Sequence, residues 1–157
     1  MIILAIDPGI ERCGYAVFEK KEHTSLLLSY GLLESSKVLS LEDRLYKLAT
    51  ELNSILDKNK PNIVVMESVF FNINKKTIIA VAQAQGALLT CCAERKIKTE
   101  FLTPIQIKQM VTGYGRADKK GVEKMIGILL NIKTMPKSDD IVDAIACGYA
   151  YCMIRRY

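Results

Sequence analysis

Residues 1–9 read MIILAIDPG, an apolar run that stops at an acid, Asp7, and turns at Pro8-Gly9. A short unbroken apolar run closed by Pro and Gly predicts a strand buried on both faces. Strands of that kind belong to sheets covered on both sides by helices. Working outward, Gly14–Glu19 alternates as a second strand, Lys20-Lys21-Glu22-His23 forms a polar hairpin turn, and Ser25–Leu33 makes a third. Leu41, Leu45, Leu48, Leu52, Ile55 and Leu56 recur at three- and four-residue spacing and predict an amphipathic helix over 41–57, with Ser40 at its N-cap. Ile63–Met66 is a further buried strand that ends, like the first, at an acid, Glu67. A helix over 75–95, a strand over 98–102 and helices over 104–111, 119–131 and 138–153 complete the pattern, with the loop Gly113-Tyr114-Gly115-Arg116-Ala117-Asp118 between the second and third of these helices. Strands first, then alternation, then helices describe an α/β fold with a mixed five-stranded sheet flanked by helices, one domain over residues 1–157.

Composition agrees with a folded enzyme-sized unit. Half of the 157 residues are hydrophobic, and Gly and Pro together number only 13, which excludes collagen-like and disordered chains. No apolar stretch approaches the roughly 20 residues of a spanning helix, and the N-terminal run has no basic flank, so it does not read as a signal peptide. Five cysteines without a CxxC pair or metal-ligand spacing indicate a reducing, cytoplasmic location. The helix over 75–95 has little polar face, which predicts burial on more than one side and makes a subunit interface a candidate for the second.

The charge is unevenly placed. Residues 104–137 carry seven basic side chains (Lys108, Arg116, Lys119, Lys120, Lys124, Lys133 and Lys137) against Asp118 and Glu123, a net +5. That is the whole of the chain's formal +5, so the rest is neutral. A basic stretch on a neutral body is either a solvated face or the footprint of a polyanion such as nucleic acid.

Four acids complement it. If the strands ending at Asp7 and Glu67 are parallel neighbours, both carboxylates emerge at the carboxyl edge of the sheet, where α/β sites collect. Asp140 and Asp143, three apart, share one face of the last helix. Each acid alone has an ordinary use, in a turn or at a helix N-terminus, but four such uses are needed at once. Converging carboxylates repel and call for cations, and oxygen donors without His or Cys suit Mg²⁺ or Mn²⁺. Beside a basic segment, that set fits two-metal hydrolysis of a phosphodiester.

At this point the motifs resemble a family. Asp7-Pro8-Gly9 with Gly14-Tyr15, then Glu67-Ser68-Val69-Phe70 with Asn72, then Gly113-Tyr114-Gly115-Arg116-Ala117-Asp118-Lys119, then Asp140-Ile141-Val142-Asp143-Ala144 resemble, in order over nearly the whole chain, the RuvC Holliday-junction resolvases. The resemblance implies a ribonuclease H-like fold, a homodimer, Mg²⁺-dependent cutting of four-way DNA junctions by paired symmetric nicks with 5′-phosphate and 3′-hydroxyl ends, and work alongside the RuvA–RuvB branch-migration complex. It makes Asp7, Glu67, Asp140 and Asp143 the catalytic metal ligands, two ions per subunit. It also makes Phe70, Lys108, Arg116 and Lys119 DNA-binding residues: the lysines near the scissile phosphate, Arg116 at the crossover, Phe70 stacked on an unpaired base. Cys13 stands where the family often has Thr, and Ala16 where Gly is common. Asp139 adds a third acid, spaced four from Asp143, so the Asp140/Asp143 register follows the family's pattern and not helix geometry.

Three rivals are weighed against this. Another nuclease of the same fold would cut RNA–DNA hybrids or a different branched substrate. A sugar-kinase or actin-type ATPase also ends its first strand in an acid-x-Gly turn, but needs two such domains, for which 157 residues leave no room. A junction-binding protein without catalysis has no use for carboxylates facing phosphates.

Overall fold

The computed structural model describes residues 1–22, 24–68 and 75–154. His23, Phe70, Phe71 and Asn72 lie outside the described residues. Ten elements follow in order: β1 (Ile2–Asp7), β2 (Arg12–Lys21), β3 (Thr24–Glu34), α1 (Leu41–Asn59), β4 (Ile63–Glu67), α2 (Lys75–Glu94), β5 (Lys98–Leu102), α3 (Pro104–Thr112), α4 (Lys119–Leu129) and α5 (Asp139–Ile154). The five strands form one sheet in the order β3-β2-β1-β4-β5. β1 runs antiparallel to β2 and parallel to β4, so the sheet is mixed, as the sequence predicts.

Alternation along each strand divides the core into two layers. Ile3, Ala5, Ala16, Phe18, Ile63 and Val65 pack with α5, α3 and α4 on one face. Leu4, Ile6, Val17, Val64 and Met66 pack with α1 and α2 on the other. Ile3 to Ile6 and Val64 to Met66 are fully buried, which is why both strands read as unbroken apolar runs. All five cysteines are free and buried in these layers. Cys13 and Ala16, at positions where the family often has Thr and Gly, have no exposed surface.

Four boundaries differ by two residues from the sequence reading: α1 runs on to Asn59, and β2 ends at Lys21, so Lys20 and Lys21 belong to the ladder with β3 and not to the expected turn. β2 begins at Arg12, two residues early, because it continues past β1 to pair Arg12 with Glu34 of β3. α4 ends at Leu129, two residues short, because Asn131 adopts φ +51° and turns the chain out of the helix. The prediction for α2 is met on one side only. Ala84, Leu88, Cys91 and Cys92 are buried, whereas Ile79 is 64% exposed and Ala82 and Gly86 lie on the same open stripe.

α5 lies close on the sheet at Gly14. A Cβ built there would stand 1.9 Å from the Asp140 carbonyl oxygen, so only glycine admits the helix N-terminus at this height. Gly14→Ala is therefore expected to lose about 3 kcal/mol of stability in urea unfolding. It is also expected to displace the start of α5, and with it Asp140.

Candidate active site

The ladder aligns the first two acids. Ile6 pairs with Met66 across the parallel β1–β4 contact, so Asp7 and Glu67 each follow a paired residue by one. Both continue the face occupied by Ala5 and Val65, the face that α5 covers. The β4 end is fixed from its other side, where Glu67 pairs with Leu102 of β5 and Ser68 N–H donates to the Leu102 carbonyl at 2.8 Å. The turn after Asp7 is anchored too: the Ser35 hydroxyl donates to the Ile10 carbonyl, and Ser35 N–H donates to the Glu11 carbonyl at 2.9 Å.

α5 supplies the other pair. Asp140 and Asp143 side chains are 25% and 30% exposed, whereas Asp139 is 79% exposed. The geometry thus separates the two acids that helical spacing leaves open, turning Asp140 and Asp143 toward the sheet and Asp139 toward solvent. Asp140 Oδ2 accepts from Arg12 Nε at 3.1 Å and from the Ser138 hydroxyl at 3.0 Å. Asp143 Oδ2 accepts from Lys119 Nζ at 3.2 Å, and Asp139 lies 3.9 Å from the same ammonium.

The electrostatics register this convergence. Asp7 is pushed well above the usual carboxylate range, by burial first and then by repulsion from Glu67, Asp143 and Asp140. Glu67 is pushed up to about 7, by burial and then by Asp143, with Lys119 and Lys108 opposing. Burial also raises Asp143, against the pull of Lys119. Burial alone would lower the Lys119 ammonium, but Asp143, Asp139 and Asp7 outweigh it, and its pKa is raised. Lys119 opens α4 directly after the N-cap Asp118, an end of the helix where a cation is disfavoured. Its acid partners offset that cost.

Glu67, Asp143, Lys108 and Lys119 line one cavity of about 510 Å³, floored by apolar groups including Ile107 and Val122. Arg116 is exposed in the loop before α4 and does not line it. Phe70 is outside the described residues. Arg12 and Ser138 are the contacts that sequence reasoning missed. The available signal is that an antiparallel return after Asp7 brings the start of β2 back beside the sheet edge.

Among the described residues, no group of three or more His, Cys, Asp or Glu is disposed to hold a metal ion. As the side chains stand, Arg12 and Lys119 engage Asp140 and Asp143. The donor chemistry nevertheless fits a hard divalent cation: Asp7, Glu67 and Asp143 are held above the ordinary carboxylate range by burial and by neighbouring acids, and such oxygen donors gain most from positive charge.

A mixed sheet with acids at the ends of two parallel central strands and on a helix laid across them is the arrangement of ribonuclease H-like resolvases. A family model for crossover junction endodeoxyribonuclease RuvC matches residues 3–151. The RuvC of Caldicellulosiruptor saccharolyticus is 39% identical over 154 residues, covering 98% of this chain and 93% of that protein. The RuvC of Halothermothrix orenii is 38% identical over 161 residues, covering 100% and 98%. Among solved structures, Thermus thermophilus RuvC in complex with a Holliday junction substrate superposes with a TM-score of 0.92 at 27% identity, over 99% of this chain and 95% of that one. The yeast mitochondrial resolvase Ydc2, at 16% identity and a TM-score of 0.66, shares the fold. The chain belongs to the RuvC family of crossover junction endodeoxyribonucleases, hydrolases of DNA phosphodiester bonds that serve recombination and repair.

Proposed function

We propose that this chain resolves four-way DNA junctions as a homodimer, one nuclease domain over residues 1–157 per subunit, with Asp7, Glu67, Asp140 and Asp143 as ligands for two Mg²⁺ ions. The observation that carries the reading is the gathering of these acids at one sheet edge, beside a cavity that also presents Lys108 and Lys119. When bound, the ions would supply charge to activate the attacking water and stabilise the leaving oxygen; Mn²⁺ would substitute. Asp7 and Glu67, on rigid strand ends, set the floor of the site. Asp140 and Asp143 close it from α5. Lys108 and Lys119 place point charges where charge develops on the phosphate, and Arg116 and Phe70 engage the DNA around the crossover. The products carry 5′-phosphate and 3′-hydroxyl ends.

Two nicks need two sites, and one chain offers one. The open stripe of Ile79, Ala82 and Gly86 on α2 supports that helix as the dimer contact. We place the enzyme in the cytoplasm with its DNA, working beside the RuvA–RuvB complex. Among the described residues no helix is long and apolar enough to cross a membrane.

The test compares a synthetic four-way junction, an RNA–DNA hybrid and a linear duplex in Mg²⁺ and in chelator. Paired symmetric nicks in the junction alone, and only with the ion, are expected. Preferential cutting of the hybrid would overturn the reading. So would junction cleavage undiminished by chelator.

A further inference from the structure

We propose that Arg12 is a positioning residue for Asp140: it fixes one carboxylate oxygen so that the other is presented to the cation site. The inference rests on the metal reading above and extends it to a residue outside the acid set. Arg12 Nε and the Ser138 hydroxyl donate to the same atom, Asp140 Oδ2, at 3.1 and 3.0 Å. Both donors on one oxygen restrain the carboxylate's rotation and leave Oδ1 outside these two bonds. The two donors come from separate segments, Arg12 from the first residue of β2 and Ser138 from the residue before α5.

The backbone around them is rigid. Gly14, two residues after Arg12, touches the Asp140 carbonyl, and Gly9 lies so close to the Arg12 carbonyl that a Cβ there would stand 2.1 Å from it. The turn after Asp7 therefore places Asp7 and the group that orients Asp140 in one stroke. Arg suits the task because its Nε–H has a fixed direction, which a lysine ammonium lacks. The Arg12 side chain is 58% exposed, so its charge is well screened and orientation is its main contribution.

Mn²⁺ binding to the full chain, measured by calorimetry without DNA, tests this. Arg12→Ala is expected to weaken Mn²⁺ affinity by about 10-fold, with the thermal midpoint in chelator and the KM for a four-way junction unchanged. Arg12→Lys should recover only part of the loss. Ser138→Ala, which removes the second donor to the same oxygen, should weaken Mn²⁺ in the same direction and provides the test if Arg12→Ala fails to fold. Unchanged or tighter Mn²⁺ binding in Arg12→Ala would overturn the inference. So would a raised junction KM at unchanged Mn²⁺ affinity, which would make Arg12 a DNA contact. Native protein that takes up no Mn²⁺ would instead overturn the metal reading beneath it.

Discussion

Asp140→Asn is expected to bind a four-way junction normally and to cut it slower by on the order of 1,000-fold or more, whereas Asp139→Asn cuts at close to the native rate. The two residues are neighbours at the start of α5, and the substitutions are chemically identical, so the contrast reads orientation alone. Asp140 is 25% exposed and holds Arg12 and Ser138 on one oxygen. An amide there loses the charge and presents either an N–H or a weaker oxygen to a cation. Asp139 is 79% exposed, and its nearest cation, Lys119, is 3.9 Å away and already bound by Asp143 at 3.2 Å. Its loss is a surface change worth about 0.5 kcal/mol or less, a factor of two or three in rate. Single-turnover cleavage with saturating Mg²⁺ separates the two. A severe defect in Asp139→Asn beside an active Asp140→Asn would move the ligand by one residue and mean that α5 is rotated from the orientation described.

β1 and β4 are the most legible part of the sequence, because burial on both faces leaves no polar residue to blur them: Ile3–Ile6 and Val64–Met66 are apolar without exception. The acids that end them were legible for the same reason, as the first charges after a buried run. Convergence of Asp7 with Glu67 required only that β1 and β4 be parallel neighbours, which the ladder bears out. What sequence could not resolve was rotation. Asp139 and Asp140 differ by about 100° around α5, and which of them is the less exposed depends on how the helix seats on the sheet at Gly14, a tertiary fact with no local signature. Arg12 was hidden for a related reason. Its role depends on β2 extending past β1, and alternation placed the strand's start at Gly14. The open side of α2 marks a different limit: an apolar circumference states that a helix needs cover, not which chain provides it.

Asp7→Asn is the second large expectation, and it combines lost chemistry with gained stability. Cleavage should fall by on the order of 1,000-fold or more, while the metal-free protein at pH 7 should melt about 3–8 °C higher, a gain of on the order of 1–2 kcal/mol. The reason is the cost of gathering acids without an ion. Burial, then Glu67, Asp143 and Asp140, hold the Asp7 carboxyl well above its ordinary range. A neutral amide of the same shape removes that repulsion. The sign fixes the pH window. Glu67 has its folded pKa raised from 4.5 to about 7, so the native state keeps a proton that the unfolded chain releases. Stability from such a group is present below about pH 4.5 and is lost as pH rises toward 7. Metal-free native protein should therefore lose stability across that interval, and Asp7→Asn should flatten the decline, since it removes from the folded state a second carboxyl whose pKa is raised by burial and by Glu67. Adding millimolar Mg²⁺ should reverse the order of the two proteins. An ion that binds only the folded state stabilises it by mass action, and on the proposed ligand set the native acids would hold one where the amide variant would not. Thermal melts of both proteins between pH 4.5 and 7.5, in chelator and in Mg²⁺, measure all of this without any DNA. If Asp7→Asn were the less stable protein in chelator at pH 7, with an unchanged pH slope, Asp7 would be serving the Pro8-Gly9 turn, and the four acids would not form one electrostatic unit.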